Sequence, residues 1–343
     1  MRLPPKPLRR LLLGPAVLLV DALLISVSPV VIVLAAVASP FFGGWRPLRV
    51  ALIVIAFAAY HLAATLACLL LWIASGFGRR ARSEGMQRAH YRVMRWFVAG
   101  LYRVIVRLAC VQIEISDSRA ASEAMSRADR PVLLLSRHAG EGDTLLVLHE
   151  LLCRHGRRPQ VVMHEALRLD PLIDVLGERL PNRFVDPRGG DTEVEIAAMA
   201  RAMGQSAALV IFPEGANFSE DRRLRGIERL DRAGHAQEAE WARAIRHLSA
   251  PRPGGTLAAI EAAPEADVVL MGHVGFPAGL AEVWRRLPEA QTIEVRLWHE
   301  PSSSIPADRE EKIDWLFGLW QKLDAWVDER LRAGAGALGS VPD

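Results

Sequence analysis

Cysteine is scarce, with only Cys68, Cys110 and Cys153 in 343 residues. Three cysteines cannot build a disulfide framework, and none has the CxxC or Cys/His spacing of a structural zinc site. Charge is missing over long stretches. Residues 50–78 contain no Lys, Arg, Asp or Glu, and residues 11–39 contain only Asp21. Acidic residues are nearly absent from the front of the chain. Residues 1–110 hold 14 Lys+Arg against Asp21 and Glu84, a net +12, and the other 233 residues hold 28 against 37, a net −9. With 51% hydrophobic and 24% charged residues, disordered and low-complexity classes are excluded. No G-x-S-x-G elbow is present, which argues against a serine hydrolase. His149-Glu150 and His164-Glu165 open like H-E-x-x-H, but Cys153 and Arg168 stand where the second His belongs. No three-ligand zinc set results, and no metal or redox cofactor is expected.

A basic, apolar front followed by an acidic, mixed remainder predicts a membrane anchor ahead of a water-soluble domain. Each apolar run exceeds the ~20 residues that span a bilayer. They read as two helices joined around PFFGGWRP (40–47), a transmembrane hairpin over residues 1–78. Arg2, Lys6, Arg9 and Arg10 precede the first helix; Arg79, Arg80 and Arg82 follow the second; the turn holds only Arg46 and Arg49. The positive-inside rule then predicts cytoplasmic termini and catalytic domain, with residues 40–48 on the far side of a bacterial plasma membrane. Asp21 and His61 fall at similar depth on the two helices, which predicts a mutual hydrogen bond. Residues 79–110 read as a basic amphipathic segment. Met94, Phe97, Val98, Leu101, Val104, Ile105 and Leu108 recur at helical spacing among Arg88, Arg92, Arg95, Arg103 and Arg107. Such a helix is drawn to anionic lipid headgroups.

From residue 111 the pattern changes. Val111, Ile113 and Ile115 alternate with polar residues, as in a half-buried strand. PVLLLS (131–136), QVVMHE (160–165), AALVIF (207–212) and ADVVLMGHVGF (266–276) are continuous apolar runs of strands covered on both faces. RFVD (183–186) and TIEVRLWHE (292–300) read as further strands. Helices are predicted after Asp143, over 191–205 and in the tail. The tail stripe is Ile313, Leu316, Phe317, Trp320, Leu323, Val327 and Leu331. The fold class is α/β, a mostly parallel or mixed sheet flanked by helices over 111–335, with 336–343 left as a tail.

In such sheets the chemistry sits beyond the carboxyl ends of the strands. Two segments stand there: S-R-H-A-G-E-G-D after 131–136 and P-E-G-A-N-F after 207–212. His138 and Asp143 would not share a face of a regular helix, since five steps turn ~500°. They converge only if His138 lies on the loop and Asp143 begins the helix, a return that Ala139, Gly140 and Gly142 permit. A carboxylate on one imidazole nitrogen fixes the tautomer and leaves the other nitrogen as a base. With no nucleophile poised beside it, the dyad suits direct deprotonation of a substrate hydroxyl.

These blocks resemble those of the glycerolipid acyltransferase family, which includes the 1-acylglycerol-3-phosphate acyltransferases. That family shares N-H-x4-D and F-P-E-G-T-R. Phe184-Val185-Asp186 is similar to its F-I-D-R block, and VVLMGHVGF to its fourth. The resemblance implies acyl transfer from acyl-CoA or acyl carrier protein to the hydroxyl of a lysophosphatidate or lysophospholipid, in phospholipid biosynthesis or remodelling. It assigns His138 as base and Asp143 as its orienting partner. It puts Pro213, Glu214, Gly215 and Asn217 at the acceptor, with Arg188 and Arg252 as candidate phosphate holders. Membrane lipids and the acyl donor are the implied partners; nucleic acid is not. The family's arginines fall on Pro187 and Asn217 here, which shifts the expected acceptor toward a phosphodiester headgroup unless Arg188, Arg137 or Arg252 takes the role. EGANFSED, the later HLSAPRPGGT and the Trp-rich tail are similar to the branch that acylates lysocardiolipin and other lysophospholipids. The non-enzymatic alternative is a membrane scaffold with a degenerate acyltransferase fold; retention of His138 and Asp143 speaks against it.

Overall fold

The computed structural model describes residues 3–140, 142–185, 192–277, 279–287 and 289–338. In chain order the helices are α1 (Lys6–Phe42), α2 (Arg46–Ala74), α3 (Glu84–Leu108), α4 (Arg119–Ser126), α5 (Asp143–His149), α6 (Pro171–Arg179), α7 (Thr192–Arg201), α8 (Glu220–Arg232), α9 (Ala236–Ala244), α10 (Pro253–Ala262), α11 (Leu280–Arg286) and α12 (Arg309–Leu338). The strands are β1 (Val111–Ile115), β2 (Val132–Ser136), β3 (Arg158–His164), β4 (Arg183–Val185), β5 (Ala207–Ile211), β6 (Asp267–Val274) and β7 (Gln291–Glu300). The fold is the expected mixed α/β. Two compact units partition the chain: residues 1–112, 144–192 and 281–291 in the first, 113–143, 193–280 and 292–343 in the second.

In the second unit β2 lies between β5 and β6 and runs parallel to both, with Leu134 opposite Val210 and Val269. β7 pairs antiparallel with β6, and β1 forms the edge beside β7. Every residue of β2 and β5 is buried, which is why both read as unbroken apolar runs. On α12, Leu316, Phe317, Trp320, Leu323 and Val327 are almost fully buried, whereas Leu331 is exposed. The tail stripe is therefore shorter than its sequence pattern.

The first unit holds the parallel pair β3–β4, with Met163 opposite Phe184, and the hairpin. Both α1 and α2 are long and apolar enough to cross a membrane. Leu19, Leu23, Val27, Val30, Leu34, Val37 and Phe41 are exposed along α1; their spacing of three and four makes one continuous apolar face. His61 Nδ1 lies 2.6 Å from Asp21 Oδ2, the predicted pairing. Its Nε2 is 3.4 Å from Asp170, which also caps α6 by accepting from the Ile173 amide at 2.8 Å. α6 carries Leu172 and Leu176 into one cluster with Ala64 and Cys68 of α2 and Tyr91 and Val98 of α3.

The hairpin turn is held by contacts within its own unit. Arg49 donates to the Leu108 carbonyl at 2.6 Å and to Cys110 Sγ at 3.0 Å. Arg46 donates to the carbonyls of Leu287 and Arg285, and Phe42 packs on Trp284. α3 runs beside α2 from there, through Tyr60 on Trp96 at 4.9 Å, down to Tyr91 near Cys68. At the other end Arg9 and Arg10 meet Asp174 at 3.1 and 3.0 Å. Both ends of the hairpin thus touch segments that follow residue 79, and the turn arginines are satisfied by backbone carbonyls. With the native cysteines replaced, Gly44→Cys and Ala166→Cys should react with an impermeant maleimide from opposite sides of sealed vesicles, as the Arg count predicts. Labelling from the same side would overturn that topology.

Candidate active site

The site is built in the second unit from three loops. β2 ends at Ser136 and delivers Arg137 and His138. The chain then turns through Gly142 at φ +96°, a conformation in which a Cβ is strained. That turn carries Asp143 back over the loop. Its Oδ2 accepts from His138 Nδ1 at 2.7 Å and from the amides of Ala139 at 2.9 Å and Gly140 at 3.3 Å. Asp143 is 1% exposed. Burial pushes its carboxyl up, but the hydrogen bond and charge of His138 outweigh this and hold it below the ordinary value. His138 stacks on Phe212 with ring centroids 4.6 Å apart. Its Nε2 has no hydrogen-bond partner among the described residues, and a quarter of the side chain (25%) is open. An imidazole held through Nδ1 by a carboxylate presents a lone pair at Nε2.

The loop after β5 fixes this histidine from behind. Glu214 is 4% exposed. Its Oε1 accepts from the His138 amide at 3.0 Å and its Oε2 from the Ser249 amide at 2.8 Å. Burial pushes the Glu214 carboxyl up to about 7, against the pull of those amides and of Arg137. With one amide on each oxygen, Glu214 braces two loops. Gly215 has φ +75°, and the Phe218 amide closes back on the His138 carbonyl at 2.7 Å. Pro213 presents its carbonyl to the Arg252 amide at 2.8 Å. Asn217 accepts from Arg222 Nη1 through its own carbonyl at 2.7 Å.

The structure therefore gathers His138, Asp143, Pro213, Glu214, Gly215, Asn217 and Arg252 around one turn. Asp186, Pro187 and Arg188 lie outside the described residues. Arg137 is removed from the candidates for a headgroup contact. Its guanidinium is buried and donates to the carbonyls of His273 at 2.8 Å and His247 at 3.1 Å. Ser219, whose amide-accepting oxygen caps α8, is likewise engaged with Arg222 N at 3.3 Å.

Residues that sequence reasoning missed act through the backbone. Asp324 on α12 accepts from the amides of Arg246 at 3.0 Å and His247 at 2.6 Å. It anchors the segment that leads through Ser249 to Arg252. The available signal was a carboxylate inside the apolar stripe of the tail, between Trp320 and Val327. His273 is fully buried, with burial first and Arg137 second lowering its pKa, so it stays neutral behind the dyad.

The comparisons agree with this geometry. A family model described as Acyltransferase matches residues 112–269, a range that spans both blocks. An uncharacterized acyltransferase of Schizosaccharomyces pombe is 24% identical over 146 residues, covering 39% of this chain and 40% of that protein. The chain thus spans about two fifths of the length of the curated relative it matches. With the His138–Asp143 pair and the F-P-E-G turn assembled inside the matched range, residues 112–269 are a domain of the glycerolipid acyltransferase family.

Proposed function

We propose that the protein is an O-acyltransferase that moves an acyl chain from a thioester, on CoA or acyl carrier protein, to the free hydroxyl of a lysophosphatidate or lysophospholipid. The observation that carries this is the open Nε2 of a histidine whose other nitrogen is held by a buried carboxylate, with no cysteine or serine among the described residues bonded to it. His138 Nε2 takes the hydroxyl proton as the oxygen attacks the thioester carbonyl. The C–O bond forms, the C–S bond breaks, and the proton passes from the imidazolium to the leaving thiolate. Asp143 fixes the tautomer and offsets the transient imidazolium charge. A thioester is activated enough that base assistance suffices, so the dyad needs no covalent acyl-enzyme.

The acceptor is a membrane lipid, and the exposed apolar face of α1 supplies the contact. The protein meets the bilayer through that face. The basic arginines of α3 add attraction to anionic headgroups. Membranes or detergent micelles carrying the purified chain should transfer label from acyl-CoA or acyl carrier protein to one or more of a panel of lysolipids. Failure with every acceptor and both donors would leave the scaffold reading.

A further inference from the structure

The peptide that enters His138 is held at both poles. Its N–H donates to Glu214 at 3.0 Å. Its carbonyl, that of Arg137, accepts from Ser136 Oγ at 3.1 Å and from His273 Nε2 at 3.2 Å. Ser136 and His273 are both fully buried. The pairing of β2 with β6 has ended by this point. Its last pair is Ser136 with Met271, and the Arg137 amide reaches the Met271 carbonyl at 3.4 Å. Beyond that pair an imidazole side chain ties the Arg137 carbonyl to β6. The same ring also supports the other half of the dyad. Phe276 stands edge-on to it, with ring centroids 5.1 Å apart. Phe276 in turn lies against the Gly142 turn, where an added Cβ would be 3.4 Å from Phe276 Cε1. That turn returns Asp143 to His138.

Packing does not account for an imidazole at this place. His273 follows Val268, Val269, Leu270 and Met271 on a fully buried stretch of β6. Its Nδ1 has no hydrogen-bond partner among the described residues. A buried nitrogen without a partner is costly, and an apolar side chain of similar shape would be neutral or better for stability. A local rule broken in the core points to function. A carbonyl can only accept, so Nε2 carries the proton of a neutral ring. Burial first and the charge of Arg137 second keep the ring neutral.

We propose that His273 is a positioning residue for His138: it donates from Nε2 to the Arg137 carbonyl and so fixes the peptide plane from which the base projects. The inference rests on His138 being the base, not on which acceptor or donor it serves. The peptide unit is planar. With its N–H on Glu214 and its C=O on His273, the plane cannot rotate, and the Cα–Cβ bond of His138 keeps one direction. Nδ1 then meets Asp143 and Nε2 stays open to substrate. Ser136 cannot replace His273, because its hydroxyl comes from the preceding residue of the same strand and ties nothing to β6. A base displaced by about 1 Å can lose about 10²-fold in rate.

The test is NMR of the full-length chain in detergent micelles with histidine labelled at its ring nitrogens, whose shifts read the tautomer. In wild type His273 should show the Nε2–H form and His138 the Nδ1–H form. The signals are assigned by their loss in His273→Gln and His138→Ala. Two variants remove the donor. His273→Phe keeps a ring against Phe276, and His273→Asn ends its amide short of the carbonyl. In both, the His138 nitrogens should move toward the average of the two tautomers. The amide N–H₂ of His273→Gln falls near the place of Nε2 and should restore the wild-type pattern. Initial rates on the same proteins should show kcat lowered about tenfold to a hundredfold in the Phe and Asn variants. KM for acceptor and donor should stay within about twofold, and Gln should recover most of the loss. An Nδ1–H form at His273, or a His138 pattern that is the same in the Phe and Asn variants as in wild type, overturns the proposal. Unchanged kcat in those two variants overturns it as well. So does a Gln variant as impaired as they are, the result that a packing role alone would give. If the nitrogen shifts behave as stated while wild type acylates no lysolipid with either donor, the positioning stands and the acyl-transfer reading falls.

Discussion

His138→Ala should lower acyl transfer by about 10²–10⁴-fold, the usual contribution of a positioned general base. The loss falls on kcat rather than on membrane binding, because α1 and its exposed face are untouched. The side chain is partly open and makes one hydrogen bond, to Asp143, so its removal leaves no large cavity. Asp143→Asn is expected to lose as much or somewhat less. The amide can no longer accept from Nδ1–H, Ala139 and Gly140 with the same charge, and the imidazole is free to present the wrong tautomer. Initial rates with labelled acyl donor, on protein whose circular dichroism matches wild type, decide the matter. Near-normal turnover in a well-folded His138→Ala protein would end the mechanism.

Glu214→Gln is expected to destabilise the second unit, with a dependence on pH that identifies the cause. A glutamine carbonyl serves one of the two amides and turns its own N–H₂ toward the other. An unsatisfied buried donor costs roughly 1–3 kcal/mol. The wild-type carboxyl sits at about 7 in the folded protein against an ordinary 4.5. A folded-state value above the unfolded one contributes stability that is complete below about 4.5 and lost as pH rises through about 7. The span is at most about 3 kcal/mol. Glutamine has no such term. Denaturant unfolding in micelles between about pH 5 and pH 8 should therefore show the gap between wild type and Glu214→Gln narrowing as pH rises. A gap that stays constant would mean that Glu214 does not titrate in this range.

The central strands and both blocks of the candidate site were legible because their causes are local. β2 and β5 are buried on both faces, so each had to be a continuous apolar run. His138 and Asp143 had to flank a glycine-rich return to meet. The helices α6 and α10 were not legible. α10 opens Pro253-Gly254-Gly255, which reads as a loop. Those glycines let the helix approach α7 closely, where a Cβ would meet the ends of the Glu193 and Ile196 side chains. The contacts of the hairpin turn were not legible, because hydropathy counts Arg46 and Arg49 as charges without seeing the carbonyls that receive them.

The contacts of α6 also bear on how this protein can be handled and made. A chain shortened to begin after residue 78 would keep the whole matched family range. It would nevertheless strip Arg9 and Arg10 from Asp174, a carboxylate 3% exposed, leaving only Arg168 at 3.5 Å. It would also take Ala64 and Cys68 out of the cluster around Leu172 and Leu176. A buried carboxylate left with no partner costs about 3–5 kcal/mol; Arg168 keeps the loss below that, yet it remains a sizeable share of the stability of an ordinary domain. The apolar hairpin is in this sense part of the wall of the first unit, so removing it changes how residues 171–179 are held.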